Sequence, residues 1–383
     1  MKIKAISFLA LLTGVFLSFS TLGVQLDSVS TFPFHLDNKL LVFTGKMNGV
    51  ETQFAFDTGA AMGLANSLSK PAGRLKMKGK KIKMRDSNRQ VKKVKTGLTD
   101  EIQIGDFKFE KVRSLVNDMN LLYCLDFYLL GSDIIKRLNW EIDFDAMQIR
   151  VSSKPFPVQA EDLIFPVTYA NNRPFVKMEF LGQEFDRILV DFGYTKVMDF
   201  DDKEEAIRDF LAQKDSLGLS NPKITTSMGA LGSDTYSART ILVDSLKLGN
   251  LYLSKIPVDF EKTSGSKIGL EFFRALSSKT IINNSDATYA LRLRESPEFE
   301  KYTNLGVFYT DGKLIVRGKP IGLTPDDDQI EIGEEILSID GKKAADFSSE
   351  CDFLEWSFSR TPDQLEIVKL DGTRLLFPKL ELR

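Results

Sequence analysis

Apolar and polar residues alternate over much of this chain, a pattern typical of β-strands with one buried face. Two such stretches, at residues 41–56 and 175–190, each pass through a glycine-containing turn and end at an aspartate, Asp57 or Asp191. A strand end holds a side chain rigidly and leaves it reachable. Both aspartates are therefore candidate functional groups.

The surroundings of the two aspartates recur in the same order. After each aspartate come a predicted hairpin, a short helical run that begins at a glycine, and a closing pair of strands. In the first copy these lie at 100–109, 129–135 and 140–151, and in the second at 244–253, 268–273 and 280–293. Features repeated in order indicate an internal repeat. The sequence thus predicts two homologous β-rich lobes, at 24–155 and 156–295.

A third unit is predicted at residues 303–383, beyond a polar, proline-containing linker. It holds a strand that ends in an Asp-Gly turn at 333–341, a helix candidate at 350–358 and a closing hairpin around Asp371.

The N-terminus has the pattern of a secretory signal peptide, predicted over residues 1–23. Lys2 and Lys4 precede an apolar run at 6–19, and small residues follow. The run is short for a membrane span, and no later stretch approaches that length. We expect an exported protein, periplasmic or extracellular, that is soluble after removal of the signal peptide.

Composition narrows the chemistry. The chain has one histidine, His35, so any Ser-His-Asp or Cys-His triad would have to use it, and a multi-histidine metal site is excluded. We predict neither a metal site nor a cofactor. The formal net charge of −2 gives no nucleic-acid footprint, and no nucleic-acid partner is expected. Cys124 and Cys351 could pair in an exported protein or remain buried thiols.

Two further segments could cover a cleft. Residues 74–95 read as a hairpin with one apolar and one cationic face, its lysines crowding around Gly79. Its counterpart at 225–239 contains Gly229 and Gly232 and is nearly uncharged. The basic hairpin is either a solvated edge hairpin or a mobile flap whose lysines favour acidic substrate segments.

Two homologous units, each presenting one Asp from a strand and turn, resemble the aspartic proteases. More closely, residues 35–293 look like the bacterial retropepsin-like group of secreted tandem aspartyl proteases. Residues 303–383 carry Gly-Glu-Glu-Ile-Leu-Ser-Ile-Asp-Gly, which is similar to a motif of PDZ domains. The resemblance implies a mainly β chain with two aspartic-protease-like β-barrel lobes followed by a PDZ-like domain.

In that family the two carboxyl groups meet at the lobe interface, which would make Asp57 and Asp191 the catalytic dyad, shaped by Thr58, Gly59 and Gly193. Two carboxyl groups at hydrogen-bonding distance cannot both ionise, so they share a proton. The ionised group can activate a water, and the protonated group can donate to the scissile carbonyl.

The second copy departs from the family pattern. Phe192 stands where the family has Ser or Thr, which removes half of the hydroxyl brace, and Lys267 stands where an apolar residue is expected. The first hypothesis is an exported aspartic endopeptidase that acts on peptides or proteins. Its PDZ-like domain would either bind peptides through Leu305, Gly306 and Val307 or only pack against the two lobes. The alternatives are an inactive bilobal peptide-binding receptor or adaptor, and a purely structural exported protein.

Overall fold

A computed structural model describes residues 28–37, 39–117, 124, 126–262, 265–299, 305–360, 362–379 and 382. The signal-peptide prediction falls outside these ranges. Most of the described chain is β-strand, as the alternating pattern predicts, so the expectation of a β-rich fold is confirmed.

The N-terminal unit, residues 28–152, begins the fold. Its elements are β1 (Val29–Asp37), β2 (Leu40–Met47), β3 (Val50–Phe56), β4 (Leu64–Asn66), α1 (Lys70–Gly73), β5 (Lys76–Arg85), β6 (Val91–Ile104), β7 (Phe107–Asn117), β8 (Phe127–Leu130), α2 (Ser132–Ile135), β9 (Asn139–Asp143) and β10 (Gln148–Ser152).

Aromatic side chains fill the interior of this unit. Phe56 packs edge-on against Trp140, with ring centroids 4.9 Å apart, and Phe43 lies 6.0 Å from the same indole. All three side chains are fully buried. Because β3 alternates, its inward positions carry the apolar residues that fix its register and hence the position of the residue that follows it.

The central unit, residues 163–293, follows. Its elements are β11 (Leu163–Pro166), β12 (Thr168–Ala170), β13 (Arg173–Phe180), β14 (Gln183–Asp191), β15 (Met198–Asp201), α3 (Glu205–Ser216), β16 (Asn221–Gly229), β17 (Gly232–Val243), β18 (Leu246–Leu248), β19 (Leu251–Leu253), β20 (Ile256–Glu261), β21 (Lys267–Gly269), α4 (Leu270–Leu276), β22 (Ser277–Asn283), a 3₁₀ turn (Asn284–Asp286) and β23 (Thr288–Leu293).

The two units share one sheet. In each unit the closing strands pair with each other, β9 with β10 and β22 with β23, and each unit's first strand pairs with its last. Strands β9 and β22 then pair across the boundary, with Trp140 opposite Ile282. This shared sheet fixes the two units relative to each other and brings the ends of β3 and β14 to one interface.

The C-terminal unit, residues 305–379, has its own apolar core. Its elements are β24 (Gly306–Thr310), β25 (Lys313–Pro320), a 3₁₀ turn (Asp327–Gln329), β26 (Glu335–Ile339), β27 (Lys342–Lys343), a 3₁₀ turn (Ala344–Asp346), α5 (Glu350–Phe358), β28 (Gln364–Lys369) and β29 (Arg374–Pro378). Helix α5 has the bounds predicted from the sequence, and the Ser349 hydroxyl caps it by accepting from Asp352 N.

Within the described residues, a strand pairing and a disulfide join the C-terminal unit to the rest of the molecule. Strand β25 pairs with β16 of the central unit, with Lys223 opposite Pro320. A disulfide links Cys124 to Cys351 of α5, with Cα atoms 5.2 Å apart. The question that the sequence left open for the two cysteines is thus answered by a bridge from the N-terminal unit to the C-terminal unit.

None of the helices in the described part of the chain has the length and apolarity that a bilayer crossing requires.

Candidate active site

Asp57 lies where β3 ends. Strand β3 runs parallel to β8. The Asp57 amide donates to the Leu130 carbonyl at 3.1 Å, and this bond extends the pairing of the two strands as far as Asp57. In the turn that follows, the Ala60 amide donates a hydrogen bond to Asp57 Oδ1 at 2.9 Å. One carboxyl oxygen is thereby held by the backbone.

Asp191 is held in the same manner at the end of β14. Strand β14 runs parallel to β21, with Asp191 opposite Gly269. Gly193 N donates to Asp191 Oδ1 at 3.0 Å, and Tyr194 N donates to the Asp191 carbonyl at 3.0 Å. A parallel strand partner and a tight turn therefore orient each aspartate.

The two carboxyl groups meet across the interface, close enough for each to affect the pKa of the other. Each packs against the glycine of the opposite turn. A Cβ atom at Gly59 would collide with the Asp191 carboxyl group, and one at Gly193 would lie 2.5 Å from Asp57 Cγ. Glycine is required at both positions because no side chain fits between turn and carboxyl.

Thr58 connects the two turns. Its hydroxyl donates to the Val190 carbonyl at 2.7 Å and accepts from the Phe192 amide at 3.0 Å, so one side chain of the N-terminal unit joins two backbone groups of the central unit. Ser132 Oγ in turn donates to the Thr58 carbonyl at 2.8 Å. The bracing role predicted for Thr58 agrees with these contacts.

The Phe192 ring lies in the core. The side chain is fully buried, stacked on Phe273 with centroids 4.5 Å apart and edge-on to Phe56 at 5.5 Å. The residue that replaces the second hydroxyl therefore adds apolar packing beneath the aspartates. The Phe192 amide still takes part in the brace through Thr58.

Burial and mutual repulsion shape the electrostatics of the pair. Loss of solvent and the nearby Asp191 charge raise the pKa of Asp57 well above its usual range. Burial also raises the pKa of Asp191, but the positive charge of Lys267 opposes that rise. The pair is thus electrostatically asymmetric, because Lys267 offsets part of the effect of burial on Asp191.

Lys267 belongs to a buried charged cluster that sequence reasoning missed. The carboxylates of Asp199, Asp259 and Glu261 offer ligand atoms within 4.8 Å of one another, the spacing a cation would need. Three lysine ammonium groups lie at these carboxylates. Lys196 and Lys223 pair with Asp259 at 2.8 Å, and Lys267 lies 3.1 Å from Asp199. The lysines thus compensate the negative charge of the three carboxylates. The sequence feature that could have indicated this cluster is Lys267, a lysine within an apolar strand pattern.

Two hairpins, one from each unit, meet tip to tip. The first is β5–β6, with its tip at residues 86–90, and the second is β16–β17, with its tip at 229–232. Asn88 Nδ2 donates to the carbonyls of Ser227 and Gly232, both at 3.1 Å. Leu231 N donates to Asp86 Oδ2 at 3.0 Å. Both hairpins are therefore joined at their ends.

The glycines predicted for the two hairpins differ in position. Gly229 and Gly232 lie at the contact, where an added Cβ would press on the side chains of Asp86 and Gln90. Gly79 does not. It lies within β5 next to a register irregularity, exposed and with no neighbour for a Cβ. The turn of the basic hairpin is formed by residues 86–90, where Arg89 adopts a positive φ of 64°.

The residues predicted for peptide binding in the C-terminal unit lie at the start of β24: Leu305 directly precedes the strand, and Gly306 and Val307 are its first two residues. Leu305 is buried in the core of the unit, and Val307 packs partly against that core. Gly306 pairs with Gly318 of β25. In the described part of the chain, β24 pairs with β25 alone, so its other edge is open.

Comparison with known protein families gives a match for part of the chain. Residues 43–137 match the model of a family described as gag-polyprotein putative aspartyl protease. This segment includes Asp57, Thr58, Gly59 and the basic hairpin. The N-terminal unit is therefore similar to a retropepsin-like aspartyl protease domain, which supports a peptidase. Comparison with curated proteins gave no match.

Proposed function

We propose that this chain is an aspartic endopeptidase that hydrolyses peptide bonds with Asp57 and Asp191 as its dyad. The observation that carries the proposal is the meeting of two half-buried carboxyl groups from different units, each packed against the glycine of the opposite turn. Only Asp57 lies inside the family match, so the role of Asp191 rests on this geometry.

The asymmetry of the pair assigns the roles. Ionised Asp191 takes a proton from a water as the water oxygen attacks the scissile carbonyl carbon. Asp57 gives its proton to the carbonyl oxygen, which yields a neutral gem-diol. Asp191 then donates its proton to the amide nitrogen, Asp57 recovers one from a diol hydroxyl, and the C–N bond breaks. One water is consumed, and the dyad returns to its starting state.

We also propose that the central unit is a second lobe homologous to the first. The parallel pairings of β3 with β8 and of β14 with β21 support this, because each aspartate follows a strand in the same setting. The corresponding pairings of the first and last strands, β1 with β10 and β11 with β23, are further support.

Export and peptide recognition by a PDZ-like C-terminal unit complete the proposal. The disulfide favours an oxidising compartment, and N-terminal sequencing of the mature protein would locate the cleavage site. The open edge of β24 suits strand addition by a peptide. Titration of the full chain with peptides that have free or amidated C-termini would test this, and equal binding of both would contradict carboxylate capture.

Phe192 favours the alternative of an inactive peptide-binding protein, since the hydroxyl brace has one side chain where the family has two. Substitution of the dyad separates the two functions. Asp57→Asn and Asp191→Asn keep the shape of the side chain and remove the shared proton. Each should abolish cleavage of an unfolded protein such as casein while leaving the melting temperature nearly unchanged.

Asp186→Asn is the matched control, because Asp186 is exposed on the same strand as Asp191. It should cleave like the wild type. A wild-type protein that binds peptides without cleaving them at any pH would favour the inactive receptor. Full cleavage by either dyad variant would refute the assignment.

A further inference from the structure

Lys267 is a buried cation on the strand beside Asp191. Strand β21 pairs in parallel with β14, with Lys267 opposite Leu189 and Gly269 opposite Asp191. Lys267 is 8% exposed. A buried lysine is costly unless its charge is compensated, so its position in the strand next to the dyad calls for an electrostatic explanation.

The ammonium group is held by two neighbours. It lies 3.1 Å from Asp199 Oδ2 and 4.1 Å from the centroid of the Tyr194 ring, in the geometry of a cation–π contact. The Tyr194 hydroxyl also donates to Asp199. Tyr194 belongs to the Asp191 turn, so the cation is fixed against the segment that carries the aspartate.

The other two lysines of the cluster are paired with Asp259. Lys223 binds both oxygens of Asp259, at 2.8 and 2.9 Å, and Lys196 binds one of them at 2.8 Å. The charges that act most strongly on Asp191 include those of Lys267 and Asp199, and those that act on Lys267 come from Asp199, Asp191 and Glu261. Lys267 is the lysine of this cluster that lies on β21, the strand paired with the strand of Asp191.

We infer that Lys267 is a positioning residue of the dyad, whose buried charge beside Asp191 keeps that carboxyl ionised and the shared proton on Asp57. The inference rests on the proposed function and assigns the base and the acid within it. Asp199 carries the opposite charge and weakens the effect on Asp191, but it also holds the ammonium group in place.

The electrostatics of the two aspartates agree with this arrangement. The charge of Lys267 lowers the pKa of Asp191 against the effect of burial, whereas the pKa of Asp57 is raised well above its usual range. Cleavage needs one ionised carboxyl, so its acid limit is the pH at which Asp191 becomes protonated. Removal of the cation should therefore move the acid limit to higher pH.

The test compares Lys267→Met and Lys267→Gln with the charge-conserving Lys267→Arg. The neutral variants should shift the acid limb of the kcat/KM profile upward by about one pH unit or more, the effect of a nearby opposite charge. Lys267→Arg should stay close to the wild type. Lys223→Met is the matched control for loss of a buried cation, and it should lower the melting temperature without moving the limb.

A second readout does not need catalysis. In protein with carbon-13 at the aspartate carboxyls, the Asp191 signal is identified by its absence in Asp191→Asn, and its titration should move upward in both neutral variants. If the wild-type protein cleaves no peptide, the proposed function is refuted, and this titration still tests the effect of Lys267 on Asp191. Unmoved Asp191 titration in a folded neutral variant would overturn the inference, whatever happens to the rate.

Discussion

Phe192 decides how the second aspartate is supported. The ring is fully buried between Phe56 and Phe273, so it joins the cores of the two units directly below the dyad. A hydroxyl residue at this position would leave that space empty. The central unit therefore supports Asp191 by aromatic packing together with the backbone hydrogen bond from the Phe192 amide to Thr58.

Phe192→Ala should destabilise the protein by about 3–5 kcal/mol, the usual cost of deleting a buried aromatic ring. Phe192→Leu, which refills part of the space, should cost less. Urea denaturation followed by tryptophan fluorescence measures both, because Trp140 contacts Phe56 in the same cluster. Equal stability of the alanine variant and the wild type would contradict a packing role.

At the scale of elements, the two hairpins are joined because their tips share hydrogen bonds. Asn88 alone joins two carbonyls of the opposite hairpin. Hairpin tips are regions of low local stability, and contacts between tips decide how often they part.

Asn88→Ala should weaken the contact between the two hairpin tips without unfolding the protein, since the side chain is at a tip and outside the core. We expect faster hydrogen exchange in residues 86–90 and 229–232, and little change in melting temperature. Glu110→Ala, an exposed change on the neighbouring β7, is the control. Exchange that is unchanged at both tips would show that these bonds do not hold the hairpins together.

The sequence predicted those elements whose causes are local. Strand ends at Asp57 and Asp191 follow from alternation, and α5 follows from its cap. Gly79 lies in the predicted hairpin, but the position of the turn at residues 86–90 was not predicted from the sequence. The burial of Lys267 depends on Asp199, which belongs to another strand, and no spacing rule indicates it.

At the scale of the whole molecule, the C-terminal unit is attached to both other units. Its β25 extends the strand pair that forms the second hairpin, and Thr226 Oγ1 donates to the Arg317 carbonyl at 2.6 Å. The disulfide attaches it to the N-terminal unit as well. The second hairpin is therefore held on this unit as well as on the central unit.

Cys351→Ser should lower the free energy of unfolding by about 2–4 kcal/mol, since the bond limits the unfolded chain. Cys124→Ser should cost the same amount, and the double variant no more than either single one, because all three lose one bond. Chemical denaturation of the oxidised proteins measures this. Costs that add in the double variant would indicate separate roles for the two thiols.

The Cys124–Cys351 bond also decides what a cut in the chain would release. The bond closes a ring across 227 positions of sequence, and the tip at residues 229–232 lies inside that ring, whereas the tip at 86–90 lies outside. A nick in the second hairpin opens the ring and leaves one covalent molecule, and a nick in the first frees an N-terminal fragment from covalent attachment. Cleavage at 229–232 is therefore visible as two bands only on a reducing gel, and cleavage at 86–90 is visible on either kind.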